Sequence, residues 1–466
     1  MKRPFVLLIN PWITDFAAHD LWARPLGLLF IASLLRQGGV DVAFIDCLER
    51  GQNDSDSVTI PGKVGPFGTG KYDKTPINKP PAYSGFPRRY FRYGIPTKTF
   101  QKKLESLPRV PDLILMTCVM TYWYPGVQQA INITRKVLPN IPIWLGGIYA
   151  KLCKEHAIMH SGADRTVTEP LEKMPELFST QLCFSLKNPD QWQFSRMPIP
   201  AWDLVPDRPY RVLAISQGCP FRCAYCASPI LQPQAALRPV DKVYQEILDG
   251  VEKGIKDFAF YDDALLMTAW PILKSLLQHI VSDGIKVRFH TPNALHARAI
   301  TPSKAELLSK AGFTTIRLGL ETASFRHQLE WGNKVNNRQF IRAVRALKDA
   351  GIDAPNIGVY LLCGVPGQTP EEVTRSIDFV TETGVLPFIA EYSPIPKTLL
   401  WQKAVKTSRF PIADDPLYHN NSFFACRSEL FSYEDMLRVK NYARAMRGFL
   451  VKTSMANSRE SDSSTE

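Results

Sequence analysis

Cys219, Cys223 and Cys226 stand as C-x3-C-x2-C within SQGCPFRCAYC. Three thiolates in so short a stretch can close on one face of a cubane iron–sulfur cluster, which ordinarily takes four cysteine ligands. No fourth cysteine lies nearby, so one iron is left open to an exogenous ligand. An open iron suits a catalytic cluster and is what an electron-carrier cluster avoids. Zinc is the competing metal, but it commonly takes four protein ligands from paired cysteine knuckles, and the chain has no second knuckle. The remaining cysteines, Cys47, Cys118, Cys153, Cys183, Cys363 and Cys426, are scattered singly, and the total of 9 is odd. That argues against a secreted disulfide scaffold and for a reducing, cytoplasmic compartment.

Other chemistry-bearing residues fall at the ends of apolar runs. Asp262 and Asp263 are adjacent, so their carboxylates point in different directions and at least one can reach a site at the strand end; a helix cap or structural turn is the alternative. Glu321 closes RLGLET, where a carboxylate is costly to bury without a partner; Arg317 is the structural partner the sequence offers. His290, in FHTPNAL, could move protons at the substrate or be a packed core histidine. Tyr392 stands in YSPIP, and Gly364 and Gly367 frame a GVPG turn that lets backbone approach a ligand.

The elements that must position these residues alternate strand and helix. Phe5 to Ile9 is a continuous apolar run suited to a buried parallel strand. A helix opens at Pro25 and ends at Gly38-Gly39, and Val40 to Ile45 is a second strand. Asp112 to Thr117, a helix from Tyr124 to Leu138, and Ile141 to Leu145 running into Gly146-Gly147 continue the pattern. This predicts a doubly wound, Rossmann-like parallel sheet over residues 1–183, with ligands at the carboxyl ends of its strands. A linker is expected over 184–209. From 210 to 396 six strands recur: Arg211–Ser216, Asp257–Tyr261, Lys286–His290, Thr315–Leu320, Ile357–Cys363 and Phe388–Tyr392. Six strands predict a partial (β/α)6 barrel rather than the full eight, with the cysteine loop leaving the first strand at its carboxyl end. Helices Asn336–Asp349 and Pro370–Thr383 belong to it. Residues 397–453 form a C-terminal helical region whose last helix, Ser432 to Val451, opens on a capping-box pattern. The polar tail 454–466 is expected to be disordered.

At 466 residues, with 45% hydrophobic and 21% charged residues, the chain has the composition of an ordinary globular protein large enough for more than one core. The apolar start FVLLIN is too short for a signal peptide core or a membrane span. The net charge of +12 is uneven: a Pro-rich insertion at about 50–110 is strongly basic, with only Asp73 and Glu105 as carboxylates between Lys63 and Arg109. Its run Arg88-Arg89-Tyr90-Phe91-Arg92-Tyr93 could bind nucleic acid by phosphate contact and stacking. A solvated insertion whose arginines pair with acidic neighbours or a phosphate-bearing cofactor is the favoured alternative. The stretch GPFGTGK matches G-x4-G-K, but Tyr72 follows where Ser or Thr would hold magnesium, so it is a loop and not a nucleotide site.

The cysteine spacing, Gly218, Pro220 and the aromatic Tyr225 resemble the radical S-adenosylmethionine enzymes. That resemblance implies a [4Fe–4S] cluster on Cys219, Cys223 and Cys226, with S-adenosylmethionine on the fourth iron and reductive cleavage to a 5′-deoxyadenosyl radical. It implies S-adenosylmethionine contacts from Tyr225, from Asp262 or Asp263 (where the family usually has Gly-Gly-Glu), from Glu321, and from the Gly364–Gly367 turn near adenine. Tyr392 resembles part of the element closing over the substrate. An electron donor such as ferredoxin or flavodoxin and a small-molecule substrate go with this reading.

PLGLLFIASLLR and IWLGG resemble the cobalamin-binding domain fused to many such enzymes. The D-x-H-x-x-G motif of another cobalamin class is missing, so a corrinoid would lie on strand ends near Thr121, Gly146 and Gly147 without axial histidine. Methyl transfer or rearrangement would follow. Two alternatives stand beside this: a methylthiotransferase acting on tRNA or protein, which would need a second cluster on Cys47, Cys118 and Cys153, and a non-catalytic corrinoid- or nucleic-acid-binding protein.

Overall fold

Six successive residues of Phe5–Asn10 (β1) are buried, the pattern of a parallel strand covered on both faces. It pairs in parallel with Asp41–Asp46 (β2) on one side and Leu113–Cys118 (β3) on the other. Ile143–Gly147 (β4) and Arg165–Thr166 (β5) extend the sheet. The order is therefore β5-β4-β3-β1-β2. Winding reverses between β1 and β3, where such sheets leave a crevice at their carboxyl ends. Helix Leu26–Gln37 (α1) supplies Leu28, Ala32 and Leu35 to a core shared with Val6, Leu8, Trp144 and Phe178. Helix Tyr124–Val137 (α2) follows β3, with proline in its first turn.

The computed structural model describes residues 2–51, 59–206 and 208–463. Residues 52–58 of the expected insertion, 207 of the expected linker and 464–466 of the expected tail lie outside the described residues. Contacts divide the chain into two units, one of Met1–Tyr210 with Ala413–Phe423 and one of Arg211–Ile412 with Phe424–Glu466.

The basic insertion is more ordered than its composition suggested. Lys74–Ile77 pairs antiparallel with Tyr90–Tyr93, which pairs in turn with Ile13–Asp15. Gly70–Lys71, within the G-x4-G-K stretch, pairs with His19–Asp20, so a small strand replaces the expected loop. Tyr90, Phe91, Arg92 and Tyr93 are all buried, and the Arg92 guanidinium lies over the Trp12 ring at 5.4 Å. Arg50 and Arg208 both pair with the buried Asp20. These arginines face inward onto carboxylates and rings, as the favoured alternative held. Residues 184–209 fall within the first unit, and Leu186, Trp192 and Ala201 belong to its core.

In the second unit, Tyr210–Leu213 (β6), Asp257–Phe260 (β7), Arg288–His290 (β8), Phe313–Glu321 (β9), Ile357–Cys363 (β10) and Leu386–Glu391 (β11) form one sheet in sequence order. The strands from β7 to β11 pair in parallel, which is the six-stranded partial barrel. Phe260 stacks on Phe313 with ring centres 5.7 Å apart, and Phe289 packs against both. Outside the sheet run Phe325–Glu330 (α3), Asn337–Asp349 (α4), Pro370–Glu382 (α5), Trp401–Thr407 (α6) and Tyr433–Ser463 (α7). Capping boxes open α4 at Asn336 and α5 at Thr369, and Ser432 with Asp435 makes the expected reciprocal bonds at α7. Helix α7 runs on through residues expected to lack structure, because a helix already nucleated extends readily through Lys, Arg, Glu and Ser. Among the described residues no helix is long and apolar enough to cross a membrane.

Candidate active site

The cysteine loop leaves β6 through Ser216–Gln217, which pairs antiparallel with Ala236–Leu237. Its entry is pinned by Asp262, whose Oδ1 accepts from the Ile215 N–H at 3.1 Å and the Ser216 hydroxyl at 2.6 Å. Burial pushes the Asp262 carboxyl up to about 6, although these bonds work in the opposite direction. Asp262 therefore holds the scaffold. Its neighbour Asp263 is the one near the thiols: it bonds Ser228 and adds to the charge felt by Cys219. The loop tightens where the Cys226 N–H donates to the Cys223 carbonyl at 3.0 Å, and the Ser228 N–H donates to Cys226 Sγ at 3.4 Å. Burial raises the Cys219 and Cys223 thiols, and each of them also senses Cys226.

No three His, Cys, Asp or Glu side chains among the described residues are gathered as ligands of a single metal ion. A lone zinc would require its sulfurs within ~2.3 Å of one centre. A cubane gives each thiolate its own iron, and Cys219 and Cys223 each lie near enough to Cys226 to sense its charge.

Glu321 reaches this loop by a local distortion of β9. The register of β9 on β10 shifts between Gly319 and Glu321, and Glu321 has φ 66°, a left-handed conformation that costs a non-glycine residue about 1–2 kcal/mol. Such strain persists where the surroundings over-determine it, commonly at functional sites. The Glu321 carboxylate accepts from the ammonium of Lys334, and both side chains are largely buried. Burial opposes the charge on Lys334, but Glu321, Cys223 and Cys226 outweigh it and raise its pKa. Arg317, the partner the sequence offered, instead lies over the Phe388 ring at 4.8 Å. Lys334 also faces the Tyr225 ring, 6.0 Å from its centre. The Tyr225 hydroxyl is enclosed and turned to the Cys223 thiol, its hydrogen-bond partner, and burial drives its pKa well up. A tyrosine hydroxyl, a buried ion pair and three thiols in one place fit a polar ligand bound beside a cluster.

The other candidates divide. The Gly364–Gly367 turn is held by Gln368, whose Oε1 accepts from the Gly364 N–H at 2.8 Å and whose Nε2 donates to the Leu362 carbonyl at 3.0 Å. Gly364 has φ 82°, and a Cβ there would stand 2.5 Å from the Phe424 ring, so packing alone requires glycine. Tyr392 is buried and its hydroxyl makes no hydrogen bond. His290 is spent internally: its ring nitrogens meet Thr315 Oγ1 at 2.8 Å and Asp257 Oδ1 at 3.0 Å, and burial lowers its pKa.

At the carboxyl ends of the first sheet, Thr121 is buried with its hydroxyl on His419 Nδ1 at 2.9 Å. Gly147 has φ 94° because β4 packs so tightly on β3 that a Cβ would lie 2.6 Å from the Cys118 carbonyl, whereas Gly146 faces open space. Lys334 and Ser228 escaped sequence reasoning. The signal for Lys334 was the Glu321 carboxylate itself, which needed a cation that only folding could choose.

A parallel sheet with a three-thiol loop at its first strand end and a buried ion pair beside it defines a class: iron–sulfur enzymes built on a partial barrel. Residues 213–380 match the model of the radical SAM superfamily. The chain is 28% identical over 221 residues to an uncharacterized methyltransferase of Pyrococcus horikoshii, covering 45% of this chain and 46% of that protein. It is 24% identical over 290 residues to the tRNA-2-methylthio-N(6)-dimethylallyladenosine synthase of Mannheimia succiniciproducens, covering 57% and 58%. The chain thus spans about half the length of these curated relatives. In fold it is similar to the radical S-adenosylmethionine methyltransferase TsrM from Kitasatospora setae, solved with cobalamin and a [4Fe–4S] cluster bound. That match has a TM-score of 0.65 at 16% identity and covers 88% of this chain and 76% of TsrM.

Proposed function

We propose that the chain is a radical S-adenosylmethionine enzyme that binds its cluster through Cys219, Cys223 and Cys226 and uses a corrinoid for methyl transfer to a small molecule. The observation that carries the first part is the strained Glu321, paired with a buried Lys334, set against the cysteine loop. When bound, the cluster and S-adenosylmethionine supply one-electron cleavage and a carbon radical. This chain's residues bind and orient. The Lys334 ammonium and the Glu321 carboxylate complement the carboxylate and amino group of the ligand's methionine part by charge-assisted hydrogen bonds. Asp263 adds a second carboxylate near Cys219. The Tyr225 hydroxyl lies beside the Cys223 thiol, and the Gly364–Gln368 turn offers a rigid backbone edge. Tyr392 presents an unpaired hydroxyl at the last strand end.

The corrinoid part is supported by the doubly wound sheet, by the open face at Gly146 and by the cobalamin found in the TsrM structure. A reducing, cytoplasmic compartment suits both cofactors. Anaerobic reconstitution tests the reading: the chain should take up about four irons and convert S-adenosylmethionine under dithionite, and Cys223→Ala should lose both. Loading with no more than background iron would sink it. A corrinoid spectrum retained after gel filtration supports the second part, and its loss sinks that part alone. Likeness to a tRNA methylthiotransferase favours a second reading, which needs another cluster on Cys47, Cys118 and Cys153. Iron near eight per chain would favour it, and iron near four would count against it.

A further inference from the structure

His296 follows β8 and takes no part in the site described so far. The backbone just before it fixes its place. The Leu295 N–H donates to the Arg317 carbonyl at 2.7 Å, and the Gly319 N–H donates to the Leu295 carbonyl at 3.3 Å. His296 therefore stands against β9 just before the distortion that carries Glu321. Its ring lies flat on that of Phe221, with centres 4.9 Å and planes 16° apart. Phe221 belongs to the cysteine loop, and its own backbone N–H donates to the Cys219 sulfur. Lys334 is a common neighbour, since its charge reaches His296 and the Cys219 and Cys223 thiols alike. Unlike His290, this histidine is not spent internally. It is 5% exposed, and its Nδ1 is enclosed with no hydrogen bond. Leaving a buried nitrogen unpaired is costly, and stacking on Phe221 does not require one, because a phenyl ring would stack as well. Burial, with Lys334 and Arg298 nearby, lowers the pKa to about 3, so the ring is neutral at pH 7 and carries one N–H. Solvent does not reach Nδ1, so its partner has to come from the enclosed side, where the thiols stand.

We propose that the His296 Nδ1–H donates a hydrogen bond to a sulfur of the cluster held by Cys219, Cys223 and Cys226, and that this bond sets how readily the cluster is reduced. The inference rests on the cluster reading above. Hydrogen bonds to sulfur are among the levers that fix a cluster's reduction potential. The reduced cluster carries one more negative charge than the oxidised one and accepts the stronger bond, so the bond favours reduction. The sulfur also fixes the tautomer by taking its bond at Nδ1. No atom is transferred, and the N–H stays on the ring.

The test compares the reconstituted full chain with two variants. His296→Phe keeps the stack on Phe221 without the nitrogen, and His296→Asn keeps a donor at the same distance from the backbone. Elemental analysis gives iron content, and a reductive titration followed by electron paramagnetic resonance gives the potential, first without S-adenosylmethionine. His296→Phe should load as much iron as the wild type and shift the reduction equilibrium about tenfold toward the oxidised cluster, ~59 mV for a one-electron couple. His296→Asn should recover most of that shift. An unchanged potential in His296→Phe would overturn the proposal. So would an equal shift in both variants, which would assign the effect to packing, or a shift that appears only with S-adenosylmethionine present, which would make that ligand the partner of Nδ1. Loss of iron by both variants would make His296 a support of the loop and overturn it too. A wild type that takes up no iron sinks the cluster reading itself, whereas a loaded wild type with an unshifted His296→Phe sinks this proposal alone.

Discussion

The two parallel sheets end in polar residues of opposite character. In the first unit, Asp15 is buried and accepts from the Asn420 amide at 2.9 Å and the Trp123 indole at 2.8 Å. Thr121 meets His419, Tyr124 meets Asp415 at 3.1 Å, and Tyr149 meets His156 at 2.7 Å. In the second unit, the Tyr392 hydroxyl and His296 Nδ1 are buried without hydrogen bonds, Glu321 is strained, and three thiols stand beside a buried lysine. Native proteins leave few buried groups unpaired. The contrast is between strand-end polar groups that meet one another and hold a fold, and a strained carboxylate and its lysine gathered beside three thiols, where a ligand can bind.

The largest way to break that contrast is at the thiols. Cys223→Ala should drop reconstituted iron from about four per chain to below about one, whereas Cys118→Ala, in the first unit, should leave iron content unchanged; elemental analysis decides. Next, Lys334→Met should destabilise the second unit by ~3–5 kcal/mol, because it strands a buried carboxylate. Adding Glu321→Gln should restore most of the thermal midpoint but not S-adenosylmethionine binding measured by calorimetry. If binding returns with stability, the pair is structural and the contrast fails there.

His296 gives a third handle. Burial lowers its pKa to about 3, and its ring stacks on Phe221 at 4.9 Å. The unfolded chain therefore binds the extra proton between pH 6.5 and 3, so the stabilisation is present above pH 6.5 and lost as pH falls through that window. Each pH unit there should cost about 1.4 kcal/mol, and His296→Phe should flatten the melting temperature between pH 6.5 and 4.5. The smallest effect belongs to the satisfied side. Asn420→Ala should cost ~1–2 kcal/mol by removing one partner of Asp15, seen as an earlier unfolding of the first unit at unchanged iron content.

Much of this was legible before any coordinates. Runs such as Phe5–Asn10 and Ile357–Cys363 are buried on both faces, so their composition alone marks them as strands. The three cysteines declare themselves by spacing. Lys334 did not, because it meets Glu321 only through the register shift in β9, and a bulge leaves no sequence period. His290 misled for a related reason: its position at a strand end suggested a site, but its ring turns to Asp257 on the neighbouring strand. In the basic insertion, charge count does not record which arginines fold inward, as Arg50 does onto Asp20 and Arg92 onto Trp12. Asp262 and Asp263 could not be ranked, because which carboxylate faces the loop depends on the turn that follows β7.

Residues Ala413–Phe423 complete the first unit although more than half of the chain's second unit precedes them. During synthesis, Asp15, Thr121 and Tyr124 therefore emerge from the ribosome long before Asn420, His419 and Asp415. At about 5–20 residues per second, the interval is on the order of fifteen to eighty seconds. Through that time the nascent first unit holds its polar strand ends against water alone, and its last hydrogen bonds close only after the barrel's strands have been made.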